Sequence, residues 1–381
     1  MRIALDARTI YQPTRRGTGK NLIDLYTHLA QAQPDWQVTA FHRMQGQTPT
    51  LLPESQVTPQ HIEIMGDRFN AWERVRLPMA AWRNDASILH CPANTCPSWM
   101  PIPTLVTIHD LIPLDHPQGR DTAHVRHFGQ SILNAAQNAA GIICPSHYTR
   151  NRLVREFGAD PTRITVNHWA ADSSVQYVEA DDRHEVLKQY NLHDSQYVIH
   201  FGASAPRKNT HRLIEAWAAL DASDRAQWKL LIVGLDDNTL ARIKAMIVSH
   251  DLASSVKAHG FANEAHIPAL LSGSDVLAFP SLSEGFGLPI LDAWATRTAV
   301  LTSNGTSLPE VAQDAAVLID PYNTAQIAAG LSELIRDKNL REKLVELGSQ
   351  RLEPFNWQAT TKRFVHAVAK ALSVETRAAA A

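Results

Sequence analysis

The chain has 381 residues, 44% hydrophobic and 19% charged, which is material for about two to three domains with buried cores. A formal net charge of −2 offers no basic surplus, so nothing points to nucleic acid as the partner. Three cysteines (Cys91, Cys96, Cys144) are too few for a disulfide framework, and Cys91 and Cys96 with His90 lack the second ligand pair of a zinc site, so buried thiols in a reducing compartment are expected.

Ile3-Ala-Leu5 reads as a strand, and Arg16-Gly17-Thr18-Gly19-Lys20 leads into a helix with Leu22, Leu25 and Leu29 at helical spacing. The glycine pair is no P-loop, because that motif would need glycine where Thr14 stands. It still permits close backbone approach to an anion, with a plain tight turn as the alternative. Further strands are predicted at 37–41, 88–91, 105–108, 141–144 and 164–166. Residues 68–83 mix Arg68, Arg74, Arg76 and Arg83 with aromatics, which suits the surface of an anionic membrane, and Pro78 splits the pattern into two short helices. A core-facing helix with a solvated basic side is the alternative. His109 ends an apolar strand, where α/β sheets carry their ligands; Asp110 either orients its imidazole or caps a turn.

A polar stretch, 173–184, reads as a linker between a first domain, 1–172, and a second, 185–355. Strands then recur at 197–201, 229–233, 256–258, 276–279, 299–301 and 317–319, with helical patterns between them. After the first of these comes Gly202-Ala-Ser-Ala-Pro206-Arg207-Lys208-Asn209, whose adjacent cations can clamp a diphosphate. Gly234 and Gly260-Phe261 follow the next two. The fourth runs into Pro280-Ser-Leu-Ser-Glu284-Gly285-Phe286-Gly287-Leu288-Pro289-Ile-Leu-Asp292-Ala-Trp294. Its glycines allow close approach of backbone amides, Pro289 suits a first helical turn, and the helix N-terminus favours phosphate. Asp292, one turn inside, leans back toward the same place as Glu284. A last helix, about 356–375, carries Phe364, Val365, Val368 and Leu372 on one side.

The Glu284-to-Asp292 stretch resembles the E-x7-E motif of retaining glycosyltransferases of family four, which have the GT-B fold; here the second acid is Asp292 rather than Glu. The resemblance extends to the glycine pair, to Thr107-Ile-His-Asp-Leu and to Arg207-Lys208, and departs at Trp169 and Ala170. It implies an α/β protein of two Rossmann-like domains facing across a cleft, with the last helix crossing back onto the first domain. It implies that His109, Glu284, Arg207 and Lys208 serve catalysis: His109 and Glu284 at the transferred sugar, and the two cations at the departing diphosphate. Gly17, Thr18, Gly19, Gly202, Gly234, Gly260, Phe261, Gly285, Phe286, Gly287, Leu288 and Asp292 would line the donor. The donor would be a GDP- or UDP-sugar and the acceptor a glycan or lipid-linked glycan taken by the first domain. The reaction would be a front-face displacement that keeps the anomeric configuration. The Asp6-Ala-Arg8 opening is most like bacterial mannosyltransferases of polysaccharide assembly. No D-x-D carboxylate pair follows a strand near the site, so neither metal nor cofactor is expected. A GT-B epimerase or hydrolase, and a catalytically silent binding subunit, are the other readings. Met1-Arg-Ile-Ala-Leu-Asp-Ala7 lacks signal-peptide anatomy, so a cytoplasmic protein is expected, with contact at the inner face of the membrane left open.

Overall fold

Short apolar runs buried on both faces become parallel strands here, because only a sheet covered by helices on each side satisfies them. The computed structural model describes residues 1–12, 17–44, 49–63, 71–118 and 121–378, with side chains to residue 373. Two units emerge, the first comprising Met1–Trp169 with Asn356–Ala381 and the second Ala170–Phe355.

The first unit holds β1 (Arg2–Asp6), β2 (Gln37–His42), β3 (Val57–His61), β4 (Ile88–Cys91), β5 (Thr104–Thr107), β6 (Gly141–Cys144) and β7 (Ile164–Val166). All pair in parallel, in the order β3-β2-β1-β4-β5-β6-β7. β3 is absent from the predicted strands for a physical reason. It pairs only with β2, four of its five residues are exposed, and Pro59 lies inside it, a combination confined to sheet edges. The helix Trp357–Ala378 packs on this unit, with Phe364 edge-on to Tyr26 at 5.9 Å and Ala371 against Gly141.

The second unit holds β8 (Gln196–Phe201), β9 (Trp228–Val233), β10 (Val256–Ala258), β11 (Val276–Phe279), β12 (Ala299–Ser303) and β13 (Val317–Ile319). Its order, β10-β9-β8-β11-β12-β13, is again all parallel and reverses direction between β8 and β11. Two Rossmann-like domains are therefore what the chain adopts. In each sheet the crevice for a ligand opens beyond the carboxyl ends of the strands, where the order reverses. The expected linker needs correcting, because residues 180–184 begin the helix Ala180–Gln189. Its single buried residue, Leu187, is too sparse an apolar signal to announce a helix.

Each sheet centre carries one buried histidine. His90 on β4 meets Tyr26 Oη and Thr107 Oγ1 at 2.8 and 2.9 Å. His200 on β8 meets the Ala278 carbonyl and Thr210 Oγ1, both at 2.9 Å. Burial pushes His90 down to about 3 and His200 to about 4. The unfolded chain therefore takes up these protons first, so the stability they contribute is complete above pH ~6.5 and falls as pH drops toward the folded values. At pH 5 each site should cost about 2 kcal/mol, at ~1.4 kcal/mol per pH unit. Urea unfolding followed at pH 7 and pH 5 should show both units weakened, and His200→Gln should flatten the response of the second. Midpoints that do not move between the two pH values would refute the assignment.

Candidate functional site

Three loops meet beyond the β8/β11 reversal. After β8 the chain runs through Gly202 to the single turn Pro206–Lys208, then Asn209 at φ 62°, then the helix Thr210–Ala218. Asn209 is wholly buried, and its Nδ2 donates to the carbonyls of Pro280 and Pro321 at 3.0 and 2.7 Å. One side chain thus ties the β8, β11 and β13 loops together. Asparagine suits this post because it tolerates left-handed backbone. Nothing in the linear pattern marks it beyond its place before a helix.

After β11, Leu282 N–H donates to the Arg207 carbonyl at 2.7 Å, which lays the two loops side by side. The Oγ of buried Ser307 then lies 2.9 Å from the carbonyls of both Glu284 and Phe286 and shares its one proton between them, fixing the turn. Gly287 closes that turn at φ 127°, where a Cβ would also come within 2.9 Å of Leu308. The helix Leu288–Ala295 follows, with Asp292 one turn in.

This scaffold brings three charges to one point. Glu284 Oε1 accepts from Arg207 Nη1 at 2.7 Å and from Lys208 Nζ at 2.8 Å. The side chains of Glu284, Arg207 and Lys208 are only 12%, 21% and 16% exposed, and Lys208 sits over the Phe279 ring at 4.7 Å. Burial alone would raise the Glu284 carboxyl, but Lys208 and then Arg207 outweigh it and hold it below the usual carboxylate range. Lys208 is lowered by burial, pushed back by Glu284 and lowered again by Arg207; its net direction is down. Two cations and one carboxylate leave the cluster with one positive charge in surplus, so it can receive an anion. The resemblance assigns the acid and the cations to different parts of a ligand. The structure shows them already bonded to each other.

Gly202, Gly234 and Gly260 border the same end of the sheet. Gly202 N–H donates to Val233 O and Gly234 N–H to Gly260 O, at 2.8 and 2.9 Å. A Cβ on Gly202 would meet Leu235 at 2.6 Å, and one on Gly234, at φ 93°, would meet the Gly202 carbonyl at 2.9 Å. Phe261 is 80% exposed, so its ring is available to stack on a flat ligand rather than serving the core.

In the first unit, His109 follows β5. Its backbone N–H donates to Asn94 Oδ1 and its Nε2–H to the Pro92 carbonyl, both at 2.6 Å. Trp169 stacks on the ring at 5.6 Å and 16°, so the departure from the family pattern at this position has a structural partner. Burial lowers His109, against the Pro92 carbonyl and Asp110, which keeps the ring neutral with Nδ1 as its acceptor. Asp110 Oδ1 accepts from Ile112 N–H at 3.0 Å, the capping role. The expectation of a loop at Gly17, Thr18 and Gly19 needs correcting. They are the first turn of the helix Gly17–Ala32, whose buried Leu22, Leu25, Tyr26 and Leu29 carry helical structure back to Gly17. Arg16 lies outside the described residues, as does Arg68.

The family model "Glycosyl transferases group 1" matches residues 182–351, and "Glycosyltransferase Family 4" matches residues 16–174. The O-antigen chain mannosyltransferase B of Escherichia coli is 27% identical over 266 residues, 69% of this chain and 69% of that one. The serotype-specific mannosyltransferase WbdA of the same species is 26% identical over 282 residues, 73% of this chain but 34% of that much longer protein. Among solved structures, sucrose-phosphate synthase from Thermosynechococcus elongatus superposes with a TM-score of 0.78 at 18% identity, covering 98% of this chain and 99% of that one. Anabaena Alr3699/HepE, solved with UDP-glucose, gives 0.76 at 17% identity, covering 97% and 99%.

Proposed function

The chain belongs to the family-four glycosyltransferases of the GT-B fold, and on that premise we propose that it transfers a hexose from a nucleotide diphosphate sugar to a glycan or lipid-linked glycan. The carrying observation is the Arg207–Lys208–Glu284 cluster at the β8/β11 reversal, with its one surplus positive charge. A diphosphate fits that surplus. Mannose from GDP-mannose is the preferred donor, on the strength of the two mannosyltransferases among the relatives.

In this reading the acceptor oxygen attacks the anomeric carbon from the face the diphosphate leaves. The carbon–oxygen bond to the diphosphate breaks, its electron pair stays on the leaving group, and the acceptor proton passes to that oxygen. Configuration is retained. Arg207 and Lys208 stabilise the charge that develops on the diphosphate, an electrostatic role that needs neither metal nor cofactor. Glu284 accepts from sugar hydroxyls and Asp292 from the ribose. The Gly202, Gly234, Gly260 and Gly285–Leu288 backbone lines the donor beside Phe261. The deciding experiment incubates the protein with GDP-mannose, UDP-glucose and related donors, with and without glycan acceptors and chelator, and reads the product anomer by NMR. Turnover of donor that never needs an acceptor would mark an epimerase or hydrolase instead.

We also propose contact with the inner face of an anionic membrane, from the segment formed by Trp72–Arg76 and the helix Leu77–Arg83. Its inner side buries Trp72, Leu77, Pro78 and Ala81, while Arg74, Arg76 and Arg83 are exposed beside Val75 and a Trp82 that is 57% exposed. The segment thus has both a core-facing side and a basic, aromatic outer side. Among the described residues no helix is long and apolar enough to cross a membrane. Binding to anionic vesicles should weaken with salt, at about 1 kcal/mol per cation near the surface. Arg74→Glu with Arg76→Glu should abolish sedimentation with such vesicles; unchanged sedimentation would end the idea.

A further inference from the structure

The first sheet also reverses its order, between β1 and β4, and a cavity of about 660 Å³ opens there. That volume lies within the ~300–1,000 Å³ of small-molecule sites. Its wall includes Asp6 at the end of β1, Arg8, Tyr11, Gln12 and Thr95. We propose that this cavity is a subsite for an uncharged sugar ring, and that the paired acids around Arg8 select against phosphate. The proposal deepens the glycosyltransferase reading by naming the acceptor's chemical class, and rests on that reading only for the ligand's role as acceptor.

An arginine on a cavity wall can hold a phosphate in a bidentate fork. Here its charge is compensated twice. Arg8 Nη2 donates to Asp6 Oδ2 and to Glu73 Oε2, both at 2.7 Å, and its Nε donates to Asp6 Oδ1 at 3.0 Å. Both acids are buried, and the guanidinium lies over the ring of fully buried Trp72 at 4.6 Å. Burial would discharge Arg8, but Asp6 and then Glu73 outweigh it and hold it charged. Two carboxylates against one guanidinium leave one negative charge in surplus, the opposite of the Arg207–Lys208–Glu284 cluster. Arg43, exposed on the same wall, brings the sum to zero among the described residues. The described residues of this wall offer a phosphate no net positive charge, whereas they offer hydroxyl groups fixed donors and acceptors.

The other wall groups fit the same ligand. Burial raises Tyr11 above its ordinary range, so its phenol stays a neutral donor, and its ring, tilted on His42 at 4.7 Å, offers an apolar face. Burial and nearby His61 lower His42, against a hydrogen bond with the Met44 backbone, so it adds no positive charge. Thr95 Oγ1 donates to Glu73 Oε2 at 3.1 Å, joining the wall to the buried acid. Glu73 reaches this place from Trp72–Arg76, a π-helical turn, a form that recurs at functional sites.

The test uses the full chain. Methyl glycosides and disaccharides of mannose, glucose and N-acetylglucosamine are compared with mannose 6-phosphate and glucose 6-phosphate, by saturation-transfer NMR and calorimetry. At least one neutral probe should bind, tenfold or more tighter than its phosphorylated counterpart. Glu73 is a positioning residue, so Glu73→Gln should shift that ratio toward the phosphorylated sugar by about tenfold, which lost packing alone would not do. Nucleoside diphosphate binding should stay intact as the control for folding. Thr95→Val, which alters one hydroxyl on the wall, should weaken the neutral sugar several-fold should Glu73→Gln not fold. The proposal is overturned if no neutral probe binds at tens of millimolar, if the phosphorylated sugar binds as well in the wild type, or if the affinities are unmoved in the variants. Donor turnover is measured separately: loss of sugar binding with transfer intact sinks the subsite alone, and sugar binding without any transfer sinks the enzyme reading alone.

Discussion

Arg207→Ala and Lys208→Ala should each lower nucleoside diphosphate affinity and transfer by roughly ten- to a hundred-fold. A charge-assisted hydrogen bond is worth about 1.5–3 kcal/mol, and about 1.4 kcal/mol is tenfold. The two losses should differ in kind. Lys208 is the more enclosed, lying over Phe279 with its ammonium on Glu284. Its removal leaves Glu284 with Arg207 alone and the cluster with no surplus charge, so stability and binding should fall together. Arg207 also donates to the Ser283 carbonyl at 3.2 Å, so its loss should loosen the 281–284 loop as well as weaken the anion. Calorimetry with GDP and UDP, beside urea unfolding, separates these effects. Wild-type affinity in both variants would remove the pair from the site.

Much of this is legible in the sequence because each strand of the second sheet is an apolar run flanked by loops rich in glycine or charge. The same holds for β1, β2 and β4–β7 of the first sheet. β3 is not legible, since an exposed edge strand with Pro59 inside it carries no apolar period. The site divides in the same way. Glu284, Arg207 and Lys208 stand out as residue types beside loops, but the single oxygen that joins them spans 77 and 76 positions of chain. Asn209 and Ser307, which fix those loops, look like ordinary polar residues until their buried carbonyl partners are seen. Asp6-Ala-Arg8 is visible as a string, yet its meaning depends on Glu73, 65 positions from Arg8. Periodicity reports burial along a segment. It is silent on which loops meet, and the chemistry of this protein lies in those meetings.

Glu284→Gln should slow transfer by roughly ten- to a hundred-fold while leaving affinity for the free nucleoside diphosphate unchanged or tighter. A glutamine is nearly isosteric but turns one acceptor oxygen into a donor, so a sugar hydroxyl loses its partner at about 1–3 kcal/mol. The structure adds the second half of the expectation. Glu284 Oε1 competes with any bound diphosphate for Arg207 and Lys208, since it already accepts from both. Neutralising it raises the cluster from one surplus positive charge to two, which favours the anion. The same change leaves two enclosed cations without their carboxylate, so the ligand-free protein should lose stability and regain part of it when GDP or UDP binds. Acid should mimic the variant. Because Glu284 titrates below its ordinary range when folded, the stability it contributes is present above the unfolded carboxylate pKa and is lost as pH falls through the folded value. Asp292→Ala should behave in the opposite way, weakening the nucleotide through its ribose. If Glu284→Gln weakens the free nucleoside diphosphate while Asp292→Ala leaves it untouched, the two acids have exchanged roles.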